Sequence, residues 1–370
     1  MRARRVARQV VVVAALTVRN ALQYAGFALS GRRDVAAALA IGETIRLQNE
    51  CAKTAWYWTM AARQAERSLA RYRQYVDRTR PALGAQAATL QGRLRAIIAR
   101  HDAEFAPLAG QSPVWVMSTG RCGIDTLDRV LKTAPGLHSI HREFEDEKFY
   151  EFNSAVTTKS RVIARSMSGD ASDEELLAML RAFLEVRRRT LARAGDKRHV
   201  FCEHHDEAWL PFILAAYPHS RIIHLRRDAA AVTQSFLSKG LYSGRQLVAL
   251  KPGARPALEF RLLFPQVAWL CGFLNAFIAA HCAQVEPSRV MTLRSEDLFR
   301  GDPEVRHRLT AFLDAPLDPD VFTRIATTRH NAKAGGENAC PAPKDWPPVF
   351  HEVLAIFGSI EARPAHRASA

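Results

Sequence analysis

The chain has 370 residues, 48% hydrophobic and 24% charged, the make-up of a globular protein rather than of a disordered or fibrous one. Its cysteines (Cys51, Cys122, Cys202, Cys271, Cys282 and Cys340) are scattered, with no C-x-x-C pair and no metal-ligand spacing, which excludes a disulfide framework and suits free thiols in a reducing, cytoplasmic setting. The formal charge is +15, and residues 1–110 hold 18 Lys and Arg against 7 Asp and Glu, so most of the basic excess lies in the first third of the chain.

That first third opens with Arg2, Arg4, Arg5 and Arg8, followed by the apolar run Val10 to Val18. Arg19, Asn20 and Gln23 interrupt it before the ~20 residues of a membrane span. It reads as a basic amphipathic helix lying on an anionic membrane surface, with a short signal-anchor as the alternative. Residues 34–79 read as a long helix, with Trp58, Ala62, Ala65, Leu69, Tyr72 and Val76 at alternating spacings of four and three. Arg80-Pro81 interrupts it, and Leu83, Ala87, Leu90, Leu94 and Ile97 repeat the seam up to about His101. Two such helices predict an antiparallel hairpin or a coiled-coil arm for self-association, separable from the rest of the chain. No specific nucleic acid is expected as a partner.

Val114 to Met117 is a short apolar run that predicts a buried strand. The chain then turns small and polar at Ser118, Thr119, Gly120, Arg121, Cys122 and Gly123, and Ile124, Leu127, Val130 and Leu131 fall at helical spacing. Strand, glycine loop and helix start make an anion site: backbone N–H groups and the helix dipole converge, and Arg121 adds a charge. A nucleoside-triphosphate loop would need G-x-x-x-x-G-K-[ST], and here there is no Lys and no Ser/Thr placed for magnesium, which disfavours a nucleotide kinase.

Leu137 to Phe152 predicts a second strand and a loop over the cleft, and residues 173–194 a helix. A third strand from His199 ends in Glu203, His204 and His205, which face the cleft if ligands gather at the C-terminal ends of the strands. Arg221 to Gly240 is again strand then helix, with Arg226, Arg227 and Asp228 at the junction and Ser235 eight residues after Arg227, placed to hold one more phosphate. A long apolar helix at about 257–283 and a strand from Arg289 come next, then helices, with a loop at 329–348 rich in Gly, Asn, Pro and Lys. The order predicts a three-layer α/β/α fold with a small parallel sheet and a P-loop-like phosphate site, preceded by an α-helical arm. The expected division is 1–110 for the arm, 111–360 for the catalytic domain and 361–370 for a disordered tail.

Three stretches together resemble the sulfotransferase family that uses 3′-phosphoadenosine 5′-phosphosulfate (PAPS). GRCGIDTL, Gly120 to Leu127, is similar to the family's 5′-phosphosulfate loop. RDAAAVTQS, Arg227 to Ser235, is similar to its 3′-phosphate element, with Ala229 in place of a proline. Arg289 to Pro316 resembles the closing strand, acidic turn and helix. The resemblance covers about 111–360. It implies sulfuryl transfer from PAPS to a hydroxyl or amine acceptor (a glycan, lipid or small alcohol) without a metal.

By resemblance the donor contacts are Ser118, Thr119, Gly120, Arg121, Cys122, Gly123, Ile124, Asp125, Thr126, Arg227 and Ser235. Arg329 and Lys333 sit where the family places a basic loop over the donor. The base implied first is His204, 23 residues before Arg227; the second is Glu143, 22 residues after Arg121; His141, Glu203 and His205 are neighbours able to substitute. Arg121 would neutralise the leaving oxygen. Ile124 and Asp125 depart from the family's pattern, which has Thr after the second glycine. They favour the alternative, a catalytically degenerate domain on a polyanion- or membrane-binding helical scaffold.

Overall fold

The computed structural model describes residues 55–141, 169, 171–191, 196–202, 206–239, 263–328 and 341–361. In chain order the elements are α1 (Ala55–Arg100), α2 (Asp102–Ala109), β1 (Val114–Met117), α3 (Ile124–Leu131), β2 (Leu137–Ile140), α4 (Asp173–Leu191), β3 (Arg198–Phe201), a 3-10 turn (Asp206–Trp209) leading into α5 (Leu210–Ala216), β4 (Arg221–Arg226), α6 (Ala229–Lys239), α7 (Leu263–Cys282), β5 (Val290–Arg294), α8 (Ser295–Phe299), α9 (Pro303–Leu313), α10 (Pro319–Thr327) and α11 (Pro348–Gly358).

The sheet has five parallel strands in the order β2-β3-β1-β4-β5. Every residue of β1 is buried, as a central parallel strand covered on both faces requires. The crossover from β1 to β2 runs one way along the sheet, and those from β2 to β3, β3 to β4 and β4 to β5 run the other. Right-handed crossovers then put α3 on one face and α4 to α7 on the other, which gives the three α/β/α layers. Packing agrees, since α3 lies against α10, whereas α7 packs on α6 and α11. Strand order reverses between β1 and β4, so the ligand crevice of an open α/β sheet falls at their C-terminal ends.

The N-terminal helices differ from the hairpin expected of them. Residues 55–100 form one α-helix that runs through Pro81. Proline removes one intrahelical bond, that to the carbonyl of residue 77; Asp77 and Pro81 both lie on the exposed side, where solvent can reach the freed carbonyl. Nor is the helix a free arm. Ala65, Tyr72, Val76, Leu83, Ala87, Leu90, Leu94 and Ile97 of the seam are buried, and α1 packs on α5, α7 and α11. Tyr75 accepts from Trp269 at 3.1 Å, Gln91 donates to the Pro211 carbonyl at 2.8 Å, and Arg93 pairs with Asp173 at 2.9 Å. The seam periodicity picked the right face, and the partner on that face is the rest of the chain. Residues 1–54 lie outside the described residues, and among the described ones no helix is long and apolar enough to cross a membrane. Glu361, assigned by sequence to the tail, is ion-paired with Arg226 at 2.6 Å; 362–370 lie outside the described residues.

Two buried histidines make stability depend on pH. Burial, with Arg226 nearby, holds His224 of β4 down at about 4 despite a hydrogen bond to Asn275, and burial holds His281 of α7 at about 3. The unfolded chain protonates both near pH 6.5, the folded chain only at far lower pH, so the stabilisation is complete above pH 6.5 and is lost as pH falls. Each histidine contributes a slope of up to about 1.4 kcal/mol per pH unit. Urea midpoints measured from pH 7.5 down to 5 should fall accordingly, and the slope should shrink in His224→Asn; a slope unchanged by that substitution would mean that other groups carry it.

Candidate functional site

The register of the sheet brings the β1 loop and the β4–α6 junction side by side. Met117 of β1 is level with His224 of β4, so Ser118–Gly120 leaves the sheet beside Leu225–Arg227. Gly120 (φ 82°), Arg121 (φ 57°) and Gly123 (φ 85°) all take left-handed backbone, which curls the loop tightly before α3 begins. Glycine is required at 123 for a second reason: a Cβ there would come within 2.7 Å of Phe299 Cε1 and closer still to Cζ. Arg121 holds the same conformation without being glycine, a strain of about 1–3 kcal/mol that the surrounding contacts must offset.

Those contacts come from the β4–α6 segment, Arg227 to Ser235. Arg121 Nε donates to Ser235 Oγ at 3.0 Å, and Arg227 Nη1 donates back to the Arg121 carbonyl at 3.0 Å. Residues 106 apart in the chain thus form one polar cluster at the crevice. The Arg227 guanidinium also lies 5.6 Å from the Phe299 ring centroid, over the ring that packs on Gly123. Asp228 Oδ1 accepts from Ala231 N at 2.8 Å, capping α6. Ala229 is the first residue of that helix, where no intrahelical N–H bond is needed, so alanine replaces the family's proline without losing the cap.

Inside the loop, the hydroxyls face inward. Ser118 Oγ accepts from Gly120 N at 3.1 Å, and Thr119 Oγ1 lies 3.3 Å from both the Gly120 carbonyl and Cys122 Sγ. Ser118, Thr119 and Cys122 are buried, so they shape the loop from beneath rather than lining its outer surface. Burial pushes the Cys122 thiol up, outweighing the Thr119 hydrogen bond and Arg227, which makes it a filler rather than a reactive thiolate. Ile124 is buried, so the hydroxyl expected from the resemblance is replaced by a core side chain; Thr126, in the first turn of α3, is also buried. Asp125 is partly buried, its carboxylate turned to His141 (3.5 Å) and Arg129 (3.7 Å).

Four contributors carried no assigned role in the sequence. Ser295 is fully buried and its hydroxyl bonds the Cys122 carbonyl and, at 2.8 Å, the Arg226 carbonyl, tying the β1 loop, β4 and α8 at one atom. Glu296 accepts from Asp228 N at 2.8 Å. Phe299 is the wedge between Gly123 and Arg227. Glu361 pairs with Arg226, and its burial raises the carboxyl although Arg226 pulls it down. The only signal for the first three was the acidic turn Ser295-Glu296-Asp297-Leu298 after β5.

A cavity of about 400 Å³ opens beside this cluster, lined by Arg226, Arg227, Asp228, Asn275 and Glu361 among others. A larger one, about 720 Å³, is lined by Pro113, Leu137, Arg198 and Asp314. It lies at the N-terminal ends of the strands, away from the crevice that the topology builds, with Arg198 and Arg221 already held by Asp314 at 3.6 and 2.8 Å. Six of the sequence-assigned residues, His204, Glu143, Glu203, His205, Arg329 and Lys333, lie outside the described residues. β3 ends at Phe201 and the described residues continue to Cys202; β2 ends at Ile140 and they continue to His141.

A comparison with curated proteins finds no match. A family model, that of the sulfotransferase family, matches residues 113–319. The match opens just before β1 and closes at the first residue of α10, and so takes in all five strands, the curled loop and the arginine that reaches it. Since it spans more than half of the chain and contains the whole polar cluster at the β1/β4 crevice, the chain belongs to the sulfotransferase family.

Proposed function

We propose that the chain transfers a sulfuryl group from PAPS to a hydroxyl or amine acceptor: a glycan, a lipid or a small alcohol. Family membership supports sulfuryl transfer in general. The observation that carries the donor assignment is the Arg121–Ser235–Arg227 cluster, in which two anion-binding elements share contacts at one crevice. A donor with two separated phosphate groups matches two such elements. In the reaction the acceptor oxygen or nitrogen attacks sulfur in line. The bond from sulfur to the 5′-phosphate oxygen breaks, and adenosine 3′,5′-bisphosphate leaves. Loop N–H groups and Arg121 neutralise the charge on the leaving oxygen, and a base takes the acceptor's proton. His204 is the first choice for that base and Glu143 the second, on the resemblance alone.

The non-catalytic reading rests on Ile124 and Asp125, since neither supplies a hydroxyl to the donor. One measurement separates the two. Adenosine 3′,5′-bisphosphate at a hundred times its dissociation constant should stabilise the native chain by about 2.7 kcal/mol, a clear rise in Tm. No shift at millimolar nucleotide would remove the donor assignment and leave the non-catalytic reading.

A further inference from the structure

Asp125 is a charge out of place. It is the second residue of α3, in the loop-to-helix start whose dipole and N–H groups attract an anion. A carboxylate free to turn into the crevice would repel any phosphate there. The structure shows what holds it: Oδ1 lies 3.5 Å from His141 Nε2 and Oδ2 lies 3.7 Å from Arg129 Nε. The two restraints are unequal. Arg129 is half exposed (53%), and an ion pair one helical turn away at the surface is weak. The His141 side chain is 3% exposed, and its ring is fixed from the other side: Nδ1 lies 2.6 Å from the Cys202 carbonyl. A carbonyl only accepts, so Nδ1 carries a hydrogen; Nε2, the ring atom nearest Asp125, attracts the carboxylate when it carries a hydrogen too, that is, as the imidazolium. The imidazole therefore bridges the ends of β2 and β3 to the first turn of α3. Ser139, two residues before it, donates to Asp128 Oδ1 at 2.7 Å and fixes the same helix from the same strand.

We infer that His141 is a positioning residue for the donor: it holds the Asp125 carboxylate away from the anion that the loop receives. The inference rests on the donor reading above. It differs from a role as base, which would need Nε2 turned to the acceptor rather than to Asp125.

The test is a double-mutant cycle in the full chain, read by calorimetric titration with adenosine 3′,5′-bisphosphate and, in parallel, with inorganic phosphate. His141→Leu should weaken nucleotide binding about tenfold, within the range of coupled neighbours. Asp125→Asn should bind at least as tightly as the wild type. The double variant should return to the level of Asp125→Asn, because with the charge gone nothing is left to hold back. A double variant as weak as His141→Leu overturns the inference, since a merely structural histidine would be needed in either background. His141→Phe, which keeps a ring but no donor, carries the same cycle if the leucine variant does not fold. If the wild type binds phosphate but not the nucleotide, the donor reading fails alone: the inference then stands on the same pattern with phosphate and falls if phosphate affinity ignores His141. A wild type that binds neither anion overturns both.

Discussion

Arg227→Ala should cost the chain about ten- to a hundredfold in affinity for adenosine 3′,5′-bisphosphate. A charge-assisted hydrogen bond to a phosphate contributes roughly 1.5–3 kcal/mol, and every 1.4 kcal/mol is about a factor of ten. The substitution also acts on the loop. Arg227 holds the Arg121 carbonyl at 3.0 Å and stacks over Phe299, the ring that fills the space left by Gly123. Without it the left-handed Arg121 loses one of the contacts that offset its strain. Arg227→Lys separates the two effects, because a lysine keeps the charge but cannot present a planar fork to the carbonyl, the ring and a ligand at once. It should fall between alanine and wild type. Ser235→Ala, which removes the hydrogen bond from Arg121 Nε, should lose less than Arg227→Ala. Titration calorimetry reads all three, and an Arg227→Ala variant that binds the nucleotide like the wild type would sink the assignment.

How much of this could be read from the sequence depends on whether the signal was local. The β1 loop was legible because four apolar residues, a glycine-containing turn and a helical apolar repeat come one after another within Val114 to Leu131. The same holds for Arg221 to Gly240. That the two elements touch results from parallel strands leaving the sheet at one level, which local pattern alone does not give. Ser295 is a different case. One hydroxyl meets carbonyls from two other segments, and nothing in the run Arg294-Ser295-Glu296 distinguishes it from an ordinary helix start. Asp125 read as a defect because its partner His141 lies on another segment, just past the end of β2. Helix α1 shows the limit of periodicity: spacing tells which face is apolar, not what covers it, and Pro81 is tolerated because its side of the helix faces water.

That covering leads to the largest effect expected here: a chain beginning at Gln111 should not fold. As a separable arm, residues 1–110 could be removed without harm to the donor site. Instead α1 buries Tyr72, Tyr75, Val76, Leu83, Leu90, Leu94 and Ile97. At roughly 1.5–3 kcal/mol for each large apolar side chain, the burial is worth on the order of 10–20 kcal/mol, an upper figure because unfolded chains already bury some surface. A whole domain is stable by only about 5–15 kcal/mol. What the deletion uncovers matters as much. Phe357 of α11 packs against Tyr72 with ring centroids 5.1 Å apart, and Phe350 and Trp346 lie 5.5 and 6.2 Å from Trp58. Stripped of α1, these rings and the face of α7 behind them become a continuous apolar patch, a surface that soluble monomers rarely carry. The truncated chain should therefore be found in the insoluble fraction, or bind a hydrophobic dye and unfold without a cooperative transition. In the full chain, Leu94→Ala tests the same packing more gently and should cost about 2–5 kcal/mol in a urea titration, since Leu94 is fully buried. A soluble chain from Gln111 that unfolds cooperatively and still binds adenosine 3′,5′-bisphosphate would show that α1 rests on the domain without supporting it.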